Sequence, residues 1–238
     1  MDIFYWLAVG MLDAIYWGGL LEGYENLPAR GPAVFIANHL GPRGPIGAVC
    51  SIPRRLYPWI VSDMVEAAQA AAYLRKDFVE PRLGLKPPTS ITFSQALAKI
   101  TVPLLRSLGC VPVYKGYEQM RQTWALSLGL LLRGKYLLIF PEDATLPPDP
   151  LTGFNSFQRA FARLGEIYYE RTRQCLPFYP VAVHGSHRVR VGEPIRYSPL
   201  NPPGVERSRL RNLIEAAIRR MYLDMEGEGA LGLIAARK

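Results

Sequence analysis

Cysteine is scarce. The 238 residues hold three, Cys50, Cys110 and Cys175, far apart and with no CxxC pair. That argues against a disulfide framework and against a structural zinc site of the usual spacing, and it fits a reducing, intracellular compartment. Histidine is equally rare, with His39, His184 and His187 the full set. His184 and His187 flank Gly185-Ser186, without the spacing of ligands on one helix face, and read as structural. Ser186 lies in no nucleophile-elbow pattern. There is no internal repeat, no low-complexity tract and no long Lys/Arg block. A nucleic-acid stripe is therefore not expected, although the net charge of +8, from 28 Lys+Arg against 20 Asp+Glu, favours an anionic partner. Hydrophobic residues at 49% and charged residues at 20% exclude a disordered chain and a coiled-coil rod. A single α/β domain of this length can bury most of its apolar surface without a staple.

Only one apolar run approaches membrane-spanning length. Ile3 to Leu21 carries a single charge, Asp13, and interfacial aromatics Tyr5, Trp6, Tyr16 and Trp17. A span needs roughly 20 apolar residues, and an aspartate at its centre would cost about 3 kcal/mol. No Lys or Arg precedes the run, which argues against a secretory signal peptide. Residues 1–22 are expected as an apolar helix that either lies at a membrane interface or covers the core. Residues 23–238 follow as one α/β domain.

Strands and helices alternate along that domain. Ala33 to Ala37 is a continuous apolar run between Gly31-Pro32 and Asn38-His39, the pattern of a buried strand. Tyr57–Val61, Cys110–Tyr114, Tyr136–Phe140, Tyr179–Val183 and Val189–Val191 read as further strands. Helices are expected over Val65 to Arg75, through Phe93, Leu97, Ile100, Leu104 and Leu108, and along Met120, Trp124, Leu128 and Leu131. Two more follow through Phe157 to Tyr168 and Leu210 to Met221. Pro103 should kink or break its helix. Glu80 to Thr89 reads as loop, and Gly134 as a residue just past a helix end. The expected architecture is a central, mostly parallel or mixed sheet with helices on both faces.

Polar residues gather directly after the apolar runs, where open α/β sheets bind ligands. Asn38-His39 follows one strand, Lys115 another, and Pro141-Glu142-Asp143 a third. Their order and spacing resemble the glycerolipid acyltransferase family, which includes the 1-acylglycerol-3-phosphate acyltransferases. The lead-in is Gly23-Tyr24-Glu25-Asn26-Leu27-Pro28, and the strand that follows ends in Asn38-His39. Gly109 to Lys115 resembles the second block, with lysine where the family has arginine. Phe140-Pro141-Glu142-Asp143-Ala144-Thr145 resembles Phe-Pro-Glu-Gly-Thr. Leu176 to Val183 resembles the fourth block, and Val191-Gly192-Glu193-Pro194-Ile195 is also similar. The resemblance runs from about residue 20 to 200.

It implies a transfer of a fatty acyl group from acyl-CoA or acyl carrier protein to a hydroxyl of a lysophosphatidate-like acceptor. The work would be done at the cytoplasmic face of a membrane by a peripheral or monotopic protein. No cofactor and no metal are implied, because a base and an oxyanion stabiliser suffice. His39 would be the base, with Asn38, Lys115, Glu142 and Thr145 on the substrate. The family aspartate four residues beyond the histidine motif falls at Gly44. In a Ser-His-Asp triad, neutralising the equivalent aspartate lowers kcat about 10⁴-fold. Asp143 is the first candidate to replace it, and Asp63 the second. Two alternatives stand beside this reading: a weak or inactive relative that binds lipid or acyl chains, and an acyltransferase for a non-phospholipid acceptor.

Overall fold

The computed structural model describes residues 2–114 and 116–235. In chain order the elements are α1 (Asp2–Leu12), β1 (Leu20–Glu22), β2 (Ala33–Ala37), α2 (Arg43–Ser51), β3 (Leu56–Val61), α3 (Ala67–Leu74), α4 (Glu80–Leu83), α5 (Thr89–Ser107) and β4 (Val111–Val113). They continue with α6 (Tyr117–Leu132), β5 (Tyr136–Ile139), α7 (Arg163–Thr172), β6 (Pro177–His184), β7 (Arg188–Val191), β8 (Ile195–Arg196) and α8 (Pro203–Ala235). Residues 23–238, expected as one body, cluster with the N-terminal segment into two compact units: 1–56 with 127–238, and 57–126.

The larger unit holds a mixed sheet. Strand β2 lies parallel to β5 on one side and to β6 on the other, while β7 and β8 run antiparallel to β6 and β1 parallel to β7. All five residues of β2 are fully buried. A strand covered on both faces has no reason to alternate, which is why the run Ala33 to Ala37 is apolar throughout. Phe35, Ala37, Val181 and Val183 pack with Ala48 of α2, with Ile52 just past its end and with Trp17. On the far face Phe161 meets Phe178 edge-on at 5.9 Å, and α8 lies against β6. Burying each such large apolar side chain contributes about 1.5–3 kcal/mol, so the two-sided burial of β2 makes it a firm base for a site.

The smaller unit pairs β3 with β4 in parallel and packs α3 against α5 through Ala70, Leu74, Ala98 and Val102. Arg106 Nε donates to Val65 O at 2.9 Å, tying the end of α5 to the segment before α3.

Three local expectations are corrected. The apolar N-terminal segment is not helical to residue 22. Helix α1 passes into a π-helical turn that stops at Trp17, where Gly18 adopts φ 53° and donates its N–H to Asp13 O. Leu20–Glu22 is a strand instead, and a side chain at Gly19 would come within 2.3 Å of His187 O. Among the described residues no helix is long and apolar enough to cross a membrane. Pro103 does not break α5, which runs on to Ser107. The carbonyl it leaves without a donor belongs to Lys99, which is exposed, so water can take the lost N–H's place. Glu80 to Thr89 is not all loop: Glu80–Leu83 is helical, and Ser90 Oγ donates to Glu80 Oε1 at 2.9 Å.

Candidate functional site

The parallel pairing of β2 with β5 aligns Ile36 with Ile139. The residues just past each strand are therefore neighbours: Asn38-His39 on one side and Phe140-Pro141-Glu142 on the other. Two polar segments 103 residues apart in sequence meet at the carboxyl end of the sheet.

Asn38 is fully buried, and both ends of its amide are occupied. Its Nδ2 donates to Val183 O at 3.0 Å, and its Oδ1 accepts from Val183 N at 2.8 Å. The side chain thus extends the β2–β6 ladder by one step after the backbone has turned away. Asn38, a residue expected at the substrate, fastens the end of β2, and this fixes where His39 begins. His39 itself is exposed, and its ring meets Phe140 edge-on at 5.5 Å.

Glu142 was also expected at the substrate. Its carboxylate accepts from two backbone N–H groups: His39 N reaches Oε1 at 2.5 Å, and Asn155 N reaches Oε2 at 3.0 Å. Burial pushes its carboxyl above the usual range, against the opposing pull of those two N–H groups and of Arg219. Glu142 is therefore a clamp that holds the backbone under His39.

The clamp has its own support. Pro141 to Asp143 pairs with Ser156 to Gln158: Asp143 N donates to Ser156 O at 2.9 Å, and Gln158 N donates to Pro141 O at 2.7 Å. Phe157 N donates to Glu215 Oε2 at 2.9 Å from α8. Arg219, one turn on, donates to Glu215 Oε1 and to Thr152 Oγ1 and stacks on Phe154 at 4.5 Å. Asn155, Glu215 and Arg219 escape sequence reasoning. The only trace is the Glu-to-Arg (i, i+4) pair on α8, which by itself reads as surface pairing.

Asp143 lies in the same segment. Its Oδ1 accepts from Thr145 N at 3.1 Å and from Thr145 Oγ1 at 2.6 Å, and Thr145 together with Gln158 holds its carboxyl below the usual range. This is an Asx-type turn within its own loop. Thr145, expected at the substrate, is the other half of that turn. Gly44 sits in the first turn of α2, buried against the histidine turn. A Cβ there would lie 3.0 Å from Asn38 O and 3.3 Å from His39 Cα. The position at which the family resemblance expects an aspartate thus abuts His39. Asp63 follows β3 in the smaller unit and accepts from Ser62 Oγ at 3.4 Å. Lys115 lies outside the described residues.

No protein-family model matches the sequence, and no curated protein matches it. Among solved structures the fold is similar to the crystal structure of the 1-acyl-sn-glycerophosphate (LPA) acyltransferase PlsC from Thermotoga maritima. The likeness has a TM-score of 0.51 at 15% identity and covers 87% of this chain and 71% of that one. At such identity it is the fold that is shared, and this supports the α/β, glycerolipid-acyltransferase-like architecture expected from the sequence.

Proposed function

We propose that the chain is an acyltransferase that moves a fatty acyl group from a thioester donor to a hydroxyl acceptor, with His39 as general base. The observation that carries the reading is the junction at the carboxyl ends of β2 and β5. There Asn38, through its side chain, and Glu142, through the His39 N–H, hold the backbone that leads into an exposed histidine. A buried anchor and a half-buried one for a single exposed imidazole are more than a turn residue requires. The PlsC-like fold points to the same chemistry.

In this reading His39 takes the proton of the acceptor hydroxyl as its oxygen attacks the thioester carbonyl. The new C–O bond forms, the C–S bond breaks, and the imidazolium returns the proton to the departing thiolate. The donor would be acyl-CoA or acyl carrier protein and the acceptor lysophosphatidate-like, with Lys115 as a point charge for its phosphate. Asp143 holds Thr145 through Oδ1 alone, so Asp143→Asn tests whether it orients the base or merely shapes the loop.

The N-terminal helix suits work at a membrane surface. Ile3, Leu7, Met11 and Ile15 recur every fourth residue and are 62–79% exposed, whereas Tyr5, Val9 and Trp17 face inward. A continuous apolar stripe of this kind costs free energy in water and gains it in the acyl-headgroup boundary.

The test is acyl transfer from radiolabelled acyl-CoA and acyl carrier protein into a lipid-extract acceptor pool, with His39→Ala beside wild type. Product that vanishes in the variant supports the reading. Equal product from both removes His39 from the chemistry. No product from either, with fatty chains found bound to the purified protein, favours the lipid-binding relative.

A further inference from the structure

A cavity lies at the opposite end of β2 from His39. It measures about 380 Å³, within the range of small-molecule pockets, and opens beneath the amino ends of β2 and β6. Pro28, Pro32 and Pro177 form its apolar walls. The Pro28 wall is pinned from outside, because Arg54 donates to Pro28 O through Nε at 3.3 Å and through Nη2 at 3.0 Å.

The polar lining is one-sided. Arg30 and Arg196 both face the cavity, and no aspartate or glutamate lines it. Among the described residues neither guanidinium has a carboxylate partner. Elsewhere Arg188, Arg190, Arg209 and Arg219 are each ion-paired, so these two stand open to an anion that the cavity could hold. Tyr179 also lines the cavity. The residue is 5% exposed, and its hydroxyl makes no hydrogen bond among the described residues. The hydroxyl still reaches solvent at the cavity wall, so a ligand oxygen can take the place of water there. Burial pushes the Tyr179 phenol up, so it stays a donor, while the nearby Arg196 charge pulls the other way.

We infer that this cavity is a phosphate-binding site, with Arg30 and Arg196 neutralising a dianionic phosphate group and the Tyr179 hydroxyl donating to one of its oxygens. Two unpaired guanidinium groups match the charge of a phosphate monoester better than that of a single carboxylate, and their planar forks suit phosphate oxygens. The apolar walls leave room for the organic part of an ester. The inference is independent of the His39 reading: the two sites lie at opposite ends of β2 and share no residue.

The experiment is calorimetric titration of the full chain with inorganic phosphate in a chloride background. Wild type and His39→Ala are expected to bind one phosphate alike. Arg30→Ala and Arg196→Ala, both at exposed positions, are each expected to weaken binding about tenfold, and Tyr179→Phe about threefold. Arg82→Ala, which removes one positive charge from the exposed side of α4, is expected to leave binding unchanged. A parallel arm measures sedimentation with phosphatidylcholine vesicles, with and without phosphatidic acid. Arg196-dependent binding in solution alone assigns the phosphate to a soluble ester. Arg196-dependent binding to the phosphatidic acid vesicles alone assigns it to a lipid headgroup. Loss of Arg196 dependence in both arms, or an equal effect of Arg82→Ala, overturns the inference in favour of diffuse attraction to a basic protein.

Discussion

Glu142→Gln separates a clamp under His39 from a residue that merely fills space. The glutamate offers two oxygens to two N–H groups, His39 N at 2.5 Å and Asn155 N at 3.0 Å. Glutamine keeps the shape but has one oxygen, and its amide N–H₂ turns donors toward one of the two donors it must serve. A hydrogen bond to a charged group contributes about 1.5–3 kcal/mol, and the orphaned N–H costs about 1–3 kcal/mol more. Against that stands desolvation. The Glu142 carboxyl is pushed up by burial, so its ionised form is held at a net cost relative to the neutral one. For a carboxyl raised in the folded state, the contribution to stability is largest below the unfolded pKa and is lost as pH rises through the folded value. At neutral pH the neutral amide recovers that cost, and global stability should stay within about 1 kcal/mol of wild type.

Local order should not recover. If about 1.5–3 kcal/mol of positioning is lost at His39 and appears in the transition state, kcat/KM falls roughly tenfold to hundredfold. Two measurements on one sample read this: acyl transfer, and amide hydrogen exchange at His39 and Asn155. The expected result is a near-normal melt, a faster-exchanging His39 amide and reduced turnover. In wild type, acidification should weaken activity starting from a pH above the ordinary glutamate range, because the acceptor is lost on protonation. A Glu142→Gln protein with full turnover and an unchanged His39 amide would refute the clamp.

Other expectations follow from the same geometry. Gly44→Ala places a Cβ 3.0 Å from Asn38 O, so the histidine turn must move by a few tenths of an ångström. Since about 1 Å of misplacement can cost a hundredfold, a loss of about three- to tenfold in kcat/KM is expected, and an unchanged rate would show that the turn is slack. Glu206 is fully buried and accepts from Ser198 N, Asn201 Nδ2 and the Arg209 guanidinium, which hold its carboxyl below the usual range. Its contribution is present above the unfolded pKa and lost as pH falls through the folded one. Glu206→Gln should therefore destabilise by about 3 kcal/mol at pH 7, and its deficit should shrink in melts at about pH 3. Replacing Ile3, Leu7, Met11 and Ile15 together by serine should abolish flotation with phospholipid vesicles without lowering the melting temperature. Undiminished flotation would move the membrane contact elsewhere.

The strands were legible because burial writes itself into composition. Ala33 to Ala37, apolar at every position, could only be a strand covered twice, and Tyr136 to Ile139 read the same way. Gly134, at φ 68°, ends its helix where the pattern placed it. What failed was punctuation. Pro103 and Gly18 are both strong breakers, yet only Gly18 stops its helix. The difference is that Gly18 precedes a segment with a sheet partner waiting, β7, whereas nothing competes with helix beyond Pro103 until Val111. Helix α8 begins at Pro203 and runs to Ala235, well beyond the stretch from Leu210 to Met221, because the periodicity marks only the turns that face β6.

The site shows a deeper limit. Residue types and their order singled out segments that the fold brings together, since Asn38-His39 and Glu142 do meet. Their backbone roles were not legible because a sequence suggests what a side chain touches in a substrate, not what the backbone beside it needs. Asn38 and Glu142 both face inward, one serving Val183 and the other serving His39 N and Asn155 N. Their chemistry as hydrogen-bond groups is what the motif requires; their partners are main-chain atoms that every sequence contains and no sequence singles out. The supporting shell is less legible still: Phe157 meets Glu215, 58 positions on, and Thr152 meets Arg219, 67 positions on. The Glu215–Arg219 pair bears on His39 without touching it. Arg219→Gln would loosen Thr152, Phe154 and, through Glu142, the histidine turn. Its mark would be a loss of His39 amide protection about as large as in Glu142→Gln, with the Asn38–Val183 pair still protected. Loss of protection at both places would instead mean that α8 had simply come away from the sheet, and that the shell holds the fold rather than the site.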